Sequence, residues 1–201
     1  KALWHKLVSG DYKEELIHQW CELIKSHSQE PSLIFCWRGG LRSQLAQDWV
    51  YKRGCEVFRV DFGYNGLRQE AIKALENPVP FIILSGMTGS GKTRLIHKLQ
   101  HFVDLEGLAN HRGSAFGSHF GASQPQQATF ENKLAQALYQ VHRNYVLEDE
   151  SPNIGRCHLP DSIYARMVTA PMVMIETPSR LRASEIYQEY IQTPFANGRS
   201  L

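Results

Sequence analysis

Between Asp11 and Ile24 the apolar residues Leu16, Ile17, Trp20, Leu23 and Ile24 recur three and four residues apart, the spacing of one helix face. The next apolar stretch, Ser32-Leu-Ile-Phe-Cys36, is short and unbroken, which predicts a buried strand. A glycine-containing turn, Trp37 to Gly40, leads into Leu41, Leu45 and Trp49 at four-residue intervals, and Arg53-Gly54 offers that helix a C-terminal cap. A second strand is expected over Glu56 to Val60 and a further helix over Leu67 to Glu76. That helix should stop at Asn77-Pro78, because a residue before proline is held out of the helical region.

The alternation restarts beyond Pro80, with a strand over Phe81-Ile-Ile-Leu84, a glycine-rich turn and a helix over Thr93 to Phe102. Later strands are predicted at Phe102 to Leu105, Tyr145 to Glu148 and Met172 to Ile175, and helices near Phe130 to Val141 and Leu181 to Ile191. Strands alternating with helices imply an α/β protein with parallel sheets covered on both faces. Two prolines bracket Val79, so the domain boundary is placed there, giving a first domain over 1–77 and a second over 78–201. The stretch from Gly107 to Gln127, rich in Gly, Ser and Gln, is longer than most connections and reads as a functional or mobile loop.

Composition narrows the class. The chain has 201 residues, 42% of them hydrophobic, which is enough for a folded core. No apolar run of membrane-spanning length and no leader pattern is visible, so a cytoplasmic protein with no membrane partner is expected. The formal charge of +2 does not by itself announce a nucleic-acid binder; any such surface must be a local patch. Cysteines at 21, 36, 55 and 157 form no Cys-x-x-Cys pair or Cys/His ligand cluster, so neither a disulfide framework nor a metal site is expected.

Gly86-Met-Thr-Gly89-Ser90-Gly91-Lys92-Thr93 fits the G-x-x-x-x-G-K-[ST] phosphate loop, directly after a strand and before a helix. Its glycines let the backbone approach an anion, its N–H groups and the helix N-terminus point at that anion, and Lys92 adds positive charge. Thr93 can hold a magnesium ion if one accompanies the ligand. Phosphate binding follows from this; ATP hydrolysis does not. Apolar residues leading into Glu148-Asp149-Glu150 make a candidate acidic strand end, with Asp104 and Glu106 as competitors; solvated acids at a strand end are the plain alternative, and Glu148 and Asp149 are kept as candidates.

Cys36-Trp-Arg-Gly-Gly-Leu-Arg42-Ser43 puts a cysteine at a strand end, ahead of an arginine at a helix start. Backbone N–H groups around Gly39 and Gly40 can curl about the sulfur, and the helix dipole with Arg38 or Arg42 favours a thiolate. Sulfurtransferases of the rhodanese type and cysteine phosphatases both use such a loop. The phosphatase pattern usually has His before the cysteine, where Phe35 stands here, so sulfur or selenium chemistry is preferred. Cys21, Cys55 and Cys157 have no comparable cradle and read as structural thiols.

The stretch Asp104 to Gly117, with Gln124-Pro125, Phe130-Glu131-Asn132, Glu148 to Ser151 and Ile154-Gly155, strongly resembles the bacterial tRNA 2-selenouridine synthase family, from about Leu33 to Arg182. The resemblance implies a partial rhodanese-like domain followed by a P-loop NTPase-like domain, acting on the wobble uridine in the anticodon loop of tRNA. It implies a transferase that exchanges the sulfur of 2-thiouridine for selenium from selenophosphate, through S-geranylation from geranyl diphosphate. The family's essential cysteine falls on Cys36 and its phosphate loop on Gly86 to Thr93; Cys36 is expected to carry selenium as a perselenide or, less favoured, to expel the geranyl thiol. The resemblance also implies a fragment lacking both ends. For tRNA contact the segment Asn110-His111-Arg112-Gly-Ser114 with Phe116, His119 and Phe120 is the candidate, and Arg180 and Arg182 are either lid arginines or solvated surface. Two other readings stand beside this one: a P-loop kinase fused to a sulfurtransferase, and a non-catalytic tRNA-binding piece.

Overall fold

The computed structural model describes residues 10–77, 79–111, 123–139, 144–188 and 192. Contacts divide the chain into two compact units, residues 1–70 and 71–201.

In the first unit α1 (Asp11–Ser26) buries Ile17 and Cys21, one turn apart, whereas Leu23, expected on the same face, is exposed. They join Val50, Cys55 and Val57 in a small core, flanked by Trp20, Ile24, Ile34 and Trp49. The strands here are short. β1 (Leu33–Ile34) pairs in parallel with β2 (Phe58–Arg59), joined by α2 (Leu41–Tyr51), so each ladder is narrower than its apolar run. The helix expected from Leu67 begins earlier, as α3 (Gly63–Glu76). Its amide groups explain the early start: Tyr64 donates to the carbonyl of Cys36 and Asn65 to that of Trp37.

By contacts the division between the units falls inside α3, between Glu70 and Ala71. Leu75 is buried in the second unit's core, with Ala71 and Ala74 packed against it. The guanidinium of Arg166 fastens the same helix end, donating to the carbonyls of Leu75 and Asn77, and lies over the Phe81 ring.

The second unit is built on a four-stranded parallel sheet in the order β4-β5-β3-β8, comprising β3 (Phe81–Gly86), β4 (Phe102–Val103), β5 (Tyr145–Glu148) and β8 (Met172–Ile175). β3 is central, pairing Ile83 with Leu147 on one side and with Met172 on the other. Such a strand must be apolar throughout, and Phe81, Ile83 and Leu84 are buried. After the phosphate loop comes α4 (Lys92–Ile96), shorter than the helix expected to Phe102; Phe102 and Val103 pair with β5, as the strand expected there requires. Leu105, expected in that strand, opens α5 (Leu105–Ala109) instead: the Asp104 carboxylate caps it, accepting from Gly107 N at 2.6 Å. α6 (Gln127–Leu138) buries Phe130, Leu134, Ala135 and Leu138 along one face. A two-residue antiparallel ladder, β6 (Asn153–Ile154) with β7 (Cys157–His158), precedes α7 (Asp161–Thr169), and α8 (Ser179–Tyr187) follows β8.

Two stretches that carried the sequence resemblance meet here. The Gln124 amide donates to the carbonyls of Ile154 and Ala109 and accepts from Arg156 N at 2.7 Å. A Cβ at Gly155 would stand 2.3 Å from the Gln124 Oε1, so that pair is a packing requirement.

Candidate functional site

The Cys36 loop is held by the turn that opens α3. Gly39 and Gly63 both adopt positive φ and pack backbone to backbone: a Cβ on Gly63 would lie 1.9 Å from the Cys36 carbonyl oxygen, and one on Gly39 would lie 2.6 Å from Gly63 N. Only glycine fits at either place. The Cys36 sulfur lies 3.4 Å from the Ser43 hydroxyl in the first turn of α2, and that hydroxyl also reaches the Gly40 carbonyl at 2.9 Å. When the sulfur ionises, the hydroxyl proton has an anion to turn to. The Ser43 hydroxyl is the largest influence bringing the thiol down to about 6; burial opposes it, and backbone N–H groups of Ser43, Arg38 and Gly40 add to it. Cys36 is therefore a thiolate at neutral pH, and it alone of the four cysteines is not buried. Burial pushes Cys21 up to about 11 and raises Cys157.

Arg38 thus acts through its amide, and the side chains of Arg38 and Arg42 are exposed on the loop's rim. A half-open cavity of about 610 Å³ borders the cysteine, walled by Trp20, Ile24, Ile34, Phe35 and Ala46.

In the second unit the phosphate loop joins β3 to α4. Gly89 and Gly91 have φ of 75° and 85°, and a Cβ at Gly89 would stand 2.6 Å from the Arg182 carbonyl oxygen. Lys92 Nζ donates to the Gly86 carbonyl at 2.7 Å, so the cation sits across the loop's mouth. The turn after β8 braces the loop: Thr177 Oγ1 donates to Ser90 O at 3.2 Å, and Arg182 donates to Thr177 O and Thr88 O. Arg182 is thereby a brace for the loop, whereas Arg180 is exposed.

Glu148, at the end of β5, is fully buried and accepts from Thr93 Oγ1 at 2.9 Å; its other oxygen has no partner among the described residues. Burial above all, then the charges of Glu106 and Asp104, raise it to about 7. Burial also raises Glu150 to about 8, helped by the charge of Glu106 and a hydrogen bond with it, while Lys92 works the other way. Asp149 accepts from the buried Ser85 hydroxyl at 2.5 Å. Among the described residues no group of three or more His, Cys, Asp or Glu is placed to hold a metal ion.

The second unit thus brings together Lys92, Thr93, Glu106, Glu148 and Glu150. Asp104 is occupied as a helix cap and by His97 Nε2 at 2.9 Å. His111 donates its amide to Glu106 O, while Arg112, Phe116, His119 and Phe120 lie outside the described residues. Gly63 escaped sequence reasoning, because it meets the Cys36 loop only through the fold; Ser43 stood in the Cys36 loop itself without a role, and Glu150 was weighed with the other acids and set aside.

Residues 79–200 match the family model described as tRNA 2-selenouridine synthase AAA domain. The tRNA 2-selenouridine synthase of Sulfurovum sp. (strain NBC37-1) is 46% identical over 197 residues, 94% of this chain and 53% of that protein. That of Shewanella sp. (strain MR-7) is 44% identical over the same shares, and that of Marinobacter nauticus (strain ATCC 700491 / DSM 11845 / VT8) is 42% identical over 98% of this chain and 55% of its own length. The chain spans about half the length of the curated relatives it matches. No solved structure matches it.

Proposed function

The chain belongs to the tRNA 2-selenouridine synthase family, and from that membership we propose that it takes part in converting wobble 2-thiouridine in the tRNA anticodon loop to 2-selenouridine. The first step is S-geranylation. The sulfur of the base attacks C1 of geranyl diphosphate, the C–O bond breaks, and its electron pair leaves with diphosphate as the base loses its N3 proton. The N–H groups of Gly89 to Lys92, with the Lys92 ammonium, receive that growing charge.

In the second step the Cys36 thiolate adds to C2 of the geranylated base and expels the geranyl thiolate. Selenium of selenophosphate attacks the same carbon, Cys36 leaves as thiolate, and water takes phosphorus from selenium as phosphate. Selenium in selenophosphate is already at the selenide level, so this route needs no oxidant. A perselenide on Cys36 would need one, and the route through a carbon–sulfur bond is preferred on that account. On this reading the first unit is rhodanese-like and its loop serves substitution at carbon.

The observation that carries the proposal is the Cys36 loop, which holds an accessible thiolate at neutral pH between two helix starts. The test supplies 2-thiouridine tRNA with geranyl diphosphate and then selenophosphate, and follows nucleoside mass. Lys92→Ala should impair geranylation, while Cys36→Ser should geranylate normally and accumulate the geranylated base. Loss of both steps in a folded Cys36→Ser protein refutes this division of labour. The Thr93 to Glu148 contact also suits a phosphoryl-transfer enzyme; ATP consumption without tRNA, abolished by Lys92→Ala, would favour that second reading.

A further inference from the structure

Among the described residues Phe62 is the one bulky residue whose backbone carries an unexplained cost. Its φ of 58° lies in the left-handed region, among described non-glycine residues shared only with Asn110, and its ring is 76% exposed. The turn it belongs to is required, since Gly39 and Gly63 touch there and α3 starts from it. The ring is not required by the turn. A glycine at 62 would make the same bend without strain, and so exposed a ring gains little by burial.

A second aromatic pair stands on the same loop. Trp37, next to the nucleophile and 58% exposed, stacks on Tyr64 with ring centroids 5.0 Å apart and planes 21° from parallel. Tyr64 in turn donates its amide to the Cys36 carbonyl at 2.9 Å, so the stack and the thiolate share one rigid backbone assembly. Arg38 and Arg42, on the same loop and the helix that follows it, and Arg59 are exposed residues, and Arg59 is steadied by the Gly39 carbonyl at 3.2 Å.

We propose that this rim is a stacking platform for an unpaired RNA base: the Trp37–Tyr64 pair and Phe62 take a base flanking the target uridine, while Arg38, Arg42 and Arg59 take its phosphates. Exposed rings offer their π-faces to any base, and guanidinium groups match phosphate oxygens. The hydrocarbon chain of geranyl diphosphate would use the rings, but its diphosphate is assigned above to the Gly89 to Lys92 loop, which leaves the three cations to RNA phosphates. The platform rests on the tRNA reading above and deepens it, because stacking a neighbouring base splays the uridine so that its C2 can approach Cys36. These residues are positioning residues; none makes or breaks a bond.

The test uses the full chain and an anticodon stem-loop RNA carrying 2-aminopurine beside a 2-thiouridine. Wild-type protein should bind it and quench the 2-aminopurine. Trp37→Ala and Phe62→Gly should each weaken binding about tenfold and lose the quenching, and Trp37→Phe should recover most of both. Phe62→Gly relieves the backbone, and an unchanged Cys36 titration midpoint in each variant shows the loop intact. Binding and quenching unchanged in both variants overturn the platform and leave the tRNA reading standing. A wild-type chain that neither binds this RNA nor modifies 2-thiouridine tRNA sinks both. Variants that keep RNA affinity but lose affinity for geranyl diphosphate overturn the platform in favour of a prenyl site.

Discussion

Replacing Ser43 by alanine removes the hydroxyl that stands 3.4 Å from the Cys36 sulfur and is the largest influence lowering its titration. The wild-type midpoint is about 6, so the thiolate is fully formed above pH 7 and is lost as pH falls through that value. Without the hydroxyl the midpoint should rise by about one pH unit, the backbone N–H groups still holding it below an ordinary cysteine. At pH 5.5 that change cuts the thiolate fraction about eightfold, but a more basic thiolate is intrinsically about threefold more nucleophilic. The net expectation is a reaction about threefold slower at pH 5.5 and about threefold faster at pH 8.5, with the two profiles crossing near about pH 6.5. The assay is the rate of exchange with an aromatic disulfide across pH 5 to 9, with Cys36→Ser as the blank. The other three thiols are buried and contribute little. Profiles that share a midpoint, or a variant slower at every pH, would falsify the assignment of Ser43.

Gly63→Ala puts a methyl group where the Cys36 carbonyl oxygen stands, so it should raise the Cys36 midpoint towards the ordinary cysteine value and lower thermal stability, read by the same exchange assay and by thermal unfolding. Glu148 and Glu150 titrate near 7 and 8 when folded, well above an ordinary glutamate. The folded state then binds more protons than the unfolded chain above about pH 4.5, so stability should fall as pH rises from 5 to 8. Glu148→Gln and Glu150→Gln should each flatten that fall in urea titrations at several pH values; equal slopes in wild type and variants would show these carboxyls to be ordinary.

Local spacing carried much of this protein. The strands Tyr145–Glu148 and Met172–Ile175 lie where their apolar runs predict; the first is largely buried, as an interior parallel strand must be, whereas Met172, Val173 and Met174 at the sheet edge are exposed. The phosphate loop was equally legible, since positive φ at Gly89 and Gly91 is a demand of its own few residues. Where neighbours along the chain compete with partners across it, the partners decide. Phe102 and Val103 kept their predicted strand in the ladder with β5, but Leu105 left it for a helix capped by Asp104. The candidate chemistry divides in the same way. Sequence alone marked Cys36, Lys92 and Glu148. Ser43 came with the Cys36 loop itself, but only the fold brought Gly63 to the Cys36 backbone and Glu106 to Glu150, because what packs or titrates a group lies within a few ångströms, and those neighbours come from other segments.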